Sequence, residues 1–575
     1  MRQEKQARIA RFPGLDYDVI VLGGGLAGLT CALQCRRQCP EARVLILEKR
    51  PHPVPEATHK VGESTVEVGS HYFAKVLGLE PHLEGCHLPK MGLRLFFRAG
   101  DNSRIEERLE IGGSDFPASP SFQLDRGRLE NYLAEHCQSL GITFLSTATV
   151  SAVEVAQGQA PHQVTFAHGE GTQTVTARWV VDASGRAALL KRKLELKEQS
   201  THTGNATWFR IGTRIKVDDW SGDETWQKPF RPDHPRWLST NHLMGEGYWV
   251  WIIPLGSGST SIGIVAREEL HPLNSFNSLE KTLTWLERYE PQCAAQVRAH
   301  QDKIQDFLAI KRYPEECRQV FSTRRWGIIG DAGVFLDPFY SPGSDYIALA
   351  NTYLCELIRR DLAGQSILFH APAFQYLFRR FIEGGTLIFR DQYPIFGNHQ
   401  VMPVKIAWDW MIYWTVISHI FMHGRTCQLS MFLRNLSRLN RIHQLNSFLQ
   451  AHFRRWHEHS QSWEAAGRVD TSRVPLLAQT NRGLLDTLDD AAFDARFEQH
   501  VAQLETLFWE IIDHSGVPAK VPFRRRTFPN SVKGAFQTFF DVTTGEAPDQ
   551  KRRPPNDQSG AEPVPLTGQA AVASL

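Results

Sequence analysis

Gly23, Gly25 and Gly28 stand at G-x-G-x-x-G spacing, between the apolar run Asp18–Leu22 and the helical-period stretch Leu26–Gln38. The three glycines have separate tasks: a tight turn, close approach of backbone to a pyrophosphate, and close packing of helix on strand. The start of the helix adds free N–H groups and a positive dipole end to receive phosphates. A second apolar run, Val44–Leu47, ends at Glu48, 20 residues after Gly28. An acid there accepts hydrogen bonds from a ribose hydroxyl. Strand, triplet, helix, strand and acid together predict an adenine dinucleotide site formed by Gly23, Gly25, Leu26, Ala27, Gly28 and Glu48.

Two later segments separate a flavin from a nicotinamide cofactor. Trp179–Arg186, WVVDASGR, reads as a strand ending in a small-residue turn, and Trp326–Ala332, WGIIGDA, as an apolar strand ending in Gly-Asp-Ala. A flavin needs a carboxylate near its ribityl chain as well as backbone near its pyrophosphate, and the second turn supplies Asp331.

With these in place the chain resembles the flavin-dependent halogenases, within the broader monooxygenase-like FAD fold. Val61–Thr65, VGEST, is similar to that family's flavin-side loop and contributes Gly62, Glu63, Ser64 and Thr65. Gln123–Arg126, QLDR, brings Arg126 to the position of an arginine beside the cofactor. Trp249–Pro254, WVWIIP, fits the family signature W-x-W-x-I-P. Phe335–Gly343, FLDPFYSPG, fits its companion F-x-x-P-x-x-S-x-G, with Pro338, Ser341 and Gly343 against the flavin. Two indoles at alternate positions of a strand point to one face, where they would fill the space through which a hydroxylase admits its substrate.

The resemblance implies FAD as cofactor, reduced by a separate flavin reductase, with O₂ and a halide ion as co-reactants and hypohalous acid as the oxidant. A lysine apart from the flavin captures or activates that oxidant and delivers it to an electron-rich aromatic carbon. The matching lysine is Lys90, and Ser341 is the second candidate catalytic residue. An amine flanked by apolar residues is desolvated, which lowers its pKa and frees its lone pair.

Two positions depart from the tryptophan-halogenase pattern. Tyr340 stands where those proteins have a Glu before the motif serine, so the acceptor expected is a phenol or pyrrole rather than free tryptophan. Pro342 removes one of two backbone N–H groups implied to hold halide, leaving Gly343. An altered halide site keeps a second reading open: an FAD monooxygenase or isoprenoid-reductase-like oxidoreductase on the same fold. Asp345, in the first turn of the helical stretch that follows, reads as a dipole-matching cap.

The elements that must position these residues form an α/β chain of 575 residues. The expected plan is a Rossmann-type FAD-binding domain with an inserted β-sheet substrate domain and a helical C-terminal region. Its first part, with the flavin-side loop, spans 17–200, the mostly β insert 201–320, and the closing FAD-binding part 321–365. A helical region at 366–545 and a disordered tail at 546–575 complete it. Lys plus Arg number 64 against 62 Asp plus Glu, a net +2; that near-balance gives no sign of a nucleic-acid partner, which needs a concentrated basic face. Nine cysteines are too sparse for a disulfide scaffold. Cys31, Cys35 and Cys39 read as small core residues rather than metal ligands, so no metal is expected. MRQEKQARIARFPG lacks the apolar core of a signal peptide, and Ile406–Met422 carries Asp409 and His419, so it reads as a packed helix. The expected location is cytoplasmic and the expected partner a small aromatic, free or tethered to a carrier protein.

Overall fold

A computed structural model describes residues 14–56, 60–460, 464–526 and 532–544; the tail expected at 546–575 lies outside the described residues. The first of two large sheets has a parallel core. Thr143–Leu145, Val44–Leu47, Tyr17–Leu22, the C-terminal half of Gly171–Asp182 and Trp326–Ile328 lie side by side in that order. Val19 to Leu22 are wholly buried, as expected of a parallel strand covered on both faces. The N-terminal half of Gly171–Asp182 leaves this core to pair antiparallel with His162–His168, which in turn pairs with Thr149–Glu154.

Helix Leu26–Gln38 follows the glycine turn, and the long helix Gly343–Leu362 lies against it. Asn351 Nδ2 donates to Thr30 Oγ1 at 3.0 Å, and Cys31 and Cys355 bring their sulfurs to 3.9 Å. Cys31, Cys35 and Cys39 are buried between the elements as core.

The second sheet has eight strands in the order Leu308–Ile310, Asn205–Ile211, Thr260–Ala266, Tyr248–Pro254, Thr240–Gly245, Leu93–Phe97, Glu110–Gly112 and Arg468–Asp470. The β-rich segment is thus completed by strands from before residue 201 and by one from the C-terminal helical region. Its two faces belong to different cores. Tyr248, Val250 and Ile252 join a core with Trp285, Leu286 and Cys293, from helices Leu279–Tyr289 and Pro291–Ala299. Trp249, Trp251 and Ile253 face the larger core on the other side. The period of two along this strand therefore aims both indoles the same way.

The C-terminal part is helical: His370–Phe389, Met402–Ile412 with its continuation to Met422, Leu436–His459 and Asp490–Ser515. Among the described residues no helix is long and apolar enough to cross a membrane. Asp409, in the apolar stretch singled out above, is paired inside the protein with Lys405 at 2.6 Å.

Candidate active site

A cavity of about 650 Å³ lies at the carboxyl ends of the parallel strands, bounded by the glycine turn, the flavin-side loop and the start of helix Gly343–Leu362. Gly23 takes φ +112°, a left-handed backbone that only glycine adopts freely. A Cβ on Gly28 would stand 2.0 Å from the Gly23 carbonyl oxygen, so this glycine packs helix on turn and does not line the cavity. A Cβ on Gly25 would meet nothing closer than Lys60 Nζ at 3.7 Å, so its backbone borders open space. Glu48 is oriented by the backbone: Gly24 N–H donates to Oε2 at 2.7 Å and Arg50 N–H to Oε1 at 2.8 Å.

Leu26, Ala27, Gly62, Glu63, Ser64, Arg126, Asp331, Pro338, Ser341 and Gly343 also line this cavity. Thr65 does not: its hydroxyl bonds Ser70 Oγ at 2.6 Å and the Phe122 carbonyl at 2.9 Å, holding the loop from behind. Glu63 turns its carboxylate to Arg210, which donates from Nε at 2.7 Å, so it anchors the loop to the second sheet. Arg126 donates to Glu130 Oε1 at 2.7 Å and to the Val61 carbonyl. Lys60, also paired with Glu130, and Arg186 bring further cationic groups to the wall. Glycine backbone facing open space, with the oriented Glu48 and a second carboxylate, Asp331, lining the same cavity, fits a bound FAD.

Both indoles of the W-x-W motif line the cavity. Trp251 lies over Gly263, where a Cβ would come within 2.2 Å of the ring. Trp249 Nε1 donates to Tyr393 Oη at 3.1 Å. Tyr393 and Tyr313 donate to Asp337 Oδ2 at 2.6 and 2.5 Å, and His202 reaches the same oxygen at 2.7 Å. Asp337 lies inside the F-x-x-P-x-x-S-x-G segment, so one buried carboxylate ties the two motifs together. The next turn of that segment is strained: Tyr340 and Ser341 take φ +68° and +61°, costing of order 1–3 kcal/mol each.

Lys90 does not line this cavity. It lies in a second one, about 510 Å³, walled by Tyr340, Phe381, Phe389, Trp410, Tyr413, Trp414 and other apolar side chains. Pro342 and Tyr346 border both cavities, so the strained segment forms part of the partition between them. The two candidate catalytic residues are therefore on opposite sides: Ser341 on the cofactor side, Lys90 in the apolar chamber. Lys90 is 1 % exposed, and its Nζ donates to Ser64 Oγ at 2.8 Å and to the Thr65 carbonyl at 2.6 Å. Burial pushes its pKa down to about 7, against the opposing pull of Glu67 and Asp345.

Those two acids are the part of the site that sequence reasoning missed. Asp345 does occupy the first turn of its helix, but its carboxylate caps nothing there. Oδ1 accepts from Gly69 N–H and Oδ2 from Tyr413 Oη, both at 2.8 Å, and burial raises its pKa to about 7. Glu67 accepts from Asn481 Nδ2 at 2.8 Å and is likewise raised by burial. The available signal was an acid among small residues at the head of an otherwise apolar helix, which dipole matching alone explains too easily. Trp410 and Trp414 line the chamber, whereas Trp408 is core and donates to Asn446 Oδ1 at 2.9 Å.

Comparison with known proteins agrees with this geometry. A sequence model of the FAD dependent oxidoreductase family matches residues 18–234. The flavin-dependent halogenase chlA of Dictyostelium discoideum is 28% identical over 432 residues, covering 70% of this chain and 70% of that protein. The 1H-pyrrole-2-carbonyl-[peptidyl-carrier protein] chlorinase of Pseudomonas fluorescens is 26% identical over 353 residues, covering 57% of this chain and 72% of the relative. Among solved structures, halogenase PltM in complex with phloroglucinol and FAD superposes with a TM-score of 0.59 at 15% identity, covering 86% of this chain and 96% of that one. At that identity the likeness speaks for the fold alone.

Proposed function

Taking the chain as an FAD-dependent oxidoreductase related to the flavin-dependent halogenases, we propose that it halogenates a phenol- or pyrrole-type aromatic bound in the apolar chamber. Reduced FAD, when bound, supplies the activation of O₂ that converts halide to hypohalous acid. The glycine turn and helix start would hold its pyrophosphate, Glu48 its ribose and Asp331 its ribityl chain. The single observation that carries the reading is Lys90: a desolvated amine in an aromatic-walled chamber, one hydrogen bond from the cofactor-side loop.

The neutral amine has a free lone pair and captures the halogen of hypohalous acid, forming N–X and releasing water. Passing X to the ring returns the amine. The partition keeps diffusible oxidant from the acceptor until Lys90 has taken it, which directs the halogen to one ring position. The indoles of Trp249 and Trp251 occupy volume on the cofactor side, so the aromatic acceptor belongs in the chamber instead. Two relatives are named for pyrrole acceptors attached to a peptidyl-carrier protein, and a tethered acceptor is part of this reading. So is a separate flavin reductase as the source of reducing equivalents.

The test supplies purified protein with reduced FAD, O₂, chloride or bromide, and free or carrier-bound phenols and pyrroles, and reads the product by mass spectrometry. A halogen isotope pattern on the acceptor is expected. A product that gains oxygen and no halogen overturns this reading in favour of a monooxygenase. The absent N–H at Pro342 and the apolar C-terminal helical region favour that alternative. NADPH oxidation by the isolated protein would point the same way.

A further inference from the structure

Lys90 accounts for halogen transfer but leaves Asp345 and Glu67 without a task. Both acids are buried, at 3 % and 7 % exposure, and both line the chamber that Lys90 lines. Asp345 is also fixed to the segment that carries Glu67. Asp345 Oδ1 accepts the N–H of Gly69, two residues beyond Glu67, and Tyr413 contacts both sides, donating to Asp345 Oδ2 and standing 3.2 Å from the Val68 N–H. On the same wall the Trp410 indole N–H has no acceptor among the described residues, although Trp410 is only 9 % exposed. An aromatic chamber with two oriented carboxylates and an unpartnered donor suits a ligand that carries an O–H or N–H on its ring.

We propose that Asp345 is the base of this chamber, accepting the hydroxyl or ring N–H proton of the acceptor, so that the chain selects arenes bearing such a group over arenes that lack one. The proposal rests on the halogenase reading for its chemistry and deepens it. As the ring carbon takes X from the Lys90 nitrogen, C–X forms and N–X breaks, with the electron pair left on nitrogen. The acceptor's O–H proton passes to Asp345 and on to that nitrogen, restoring the amine. The ring C–H then leaves as a proton to the acceptor oxygen, restoring the aromatic ring and the hydroxyl. Atoms and charge balance with hypohalous acid as the sole oxidant. The groups acting on Asp345 are Lys90, Glu67 and Tyr413, while Tyr346 feels its charge in turn. Tyr413 is a positioning residue, holding Oδ2 and stabilising the ionised form.

The experiment begins with binding, without halogenation. FAD-loaded protein is titrated with 4-methylphenol, which keeps its O–H at neutral pH, and with its methyl ether, 4-methylanisole. The phenol is expected to bind about tenfold tighter or more, as a hydrogen bond to a carboxylate requires, and Asp345→Asn to erase the difference while leaving FAD affinity unchanged. Equal binding of phenol and ether to the unaltered protein overturns the proposal. In turnover, Asp345→Asn should cost about 10²-fold or more with weakly acidic phenols and much less with nitrophenols, which are already ionised. A loss of the same size for every phenol assigns Asp345 a structural role and also overturns it. Where the Asn variant fails to fold, Tyr413→Phe takes its place: the acid limb of the pH profile should move to higher pH, and an unmoved limb counts against the proposal. Should the phenol preference hold while no acceptor is halogenated, the halogenase reading falls and the assignment of Asp345 stands.

Discussion

Lys90 Nζ lies 2.8 Å from Ser64 Oγ, yet the two residues face different cavities: Ser64 lines the cofactor cavity and Lys90 the apolar chamber. This pair makes a direct polar link across the partition. Ser64 Oγ also meets Thr240 Oγ1 at 2.8 Å, so the link is anchored in the second sheet. On the proposed reading, this arrangement separates oxidant formation from oxidant use.

Lys90→Ala should abolish halogen transfer, by about 10²–10⁴-fold in kcat, while the protein keeps the absorbance of bound FAD. Lys90→Arg should not rescue it, because a guanidinium stays protonated and offers no lone pair. Product yield measured beside the flavin spectrum checks both.

The pH dependence has a definite sign. Burial holds the Lys90 amine near a pKa of about 7, so the reactive neutral form grows as pH rises through that value. Asp345, also pushed to about 7, must be ionised to act as a base, so it titrates in the same direction. Activity should climb from about pH 6 to pH 8, the two apparent values belonging to the interacting groups together. A kcat profile that falls across that range would refute the neutral-amine mechanism.

Gly25 and Gly28 should fail differently. Gly28→Ala forces a Cβ to 2.0 Å from the Gly23 carbonyl, a backbone clash that should lower stability by about 1–3 kcal/mol or more. Gly25→Ala adds its methyl to open space and should leave the melting temperature unchanged while weakening FAD binding. Thermal melts of the apoprotein with FAD titrations separate the two.

Restoring a backbone N–H with Pro342→Thr should lower the KM for halide, since Pro342 precedes Gly343 at the head of its helix and borders both cavities. An unchanged halide KM would move the halide site elsewhere.

Tyr340 Oη donates to Asp409 Oδ2 at 3.1 Å, beside the buried Lys405–Asp409 pair. Tyr340→Phe should cost about 1 kcal/mol. Asp409→Asn leaves the Lys405 charge buried without its counter-ion and should cost about 3–5 kcal/mol. Equilibrium unfolding of the two variants measures the contrast.

The cofactor cavity was legible in the chain because its parts are local. A glycine turn between strand and helix, an acid closing the next strand, and a Gly-Asp-Ala turn each carry their geometry within a few residues. The W-x-W pair was legible too, since a period of two fixes which face both indoles share. Thr65 and Glu63 were placed in the right loop, but the loop motif did not show that one hydroxyl would turn back to Ser70 and one carboxylate to Arg210.

By itself, the sequence determined a dinucleotide fold with its glycine turn between strand and helix, while Lys90 came only through the family resemblance. Only the tertiary structure decided that Lys90 and Ser341 stand on opposite sides of a partition, and that Asp345 lines the chamber and bonds Gly69 N–H instead of capping its own helix. The physical reason is burial. Lys90, Glu67, Asp345 and Tyr413 come from segments up to 346 residues apart in numbering, from 67 to 413. Their desolvation, and hence their chemistry, exists only once the sheet and the C-terminal helices close around them.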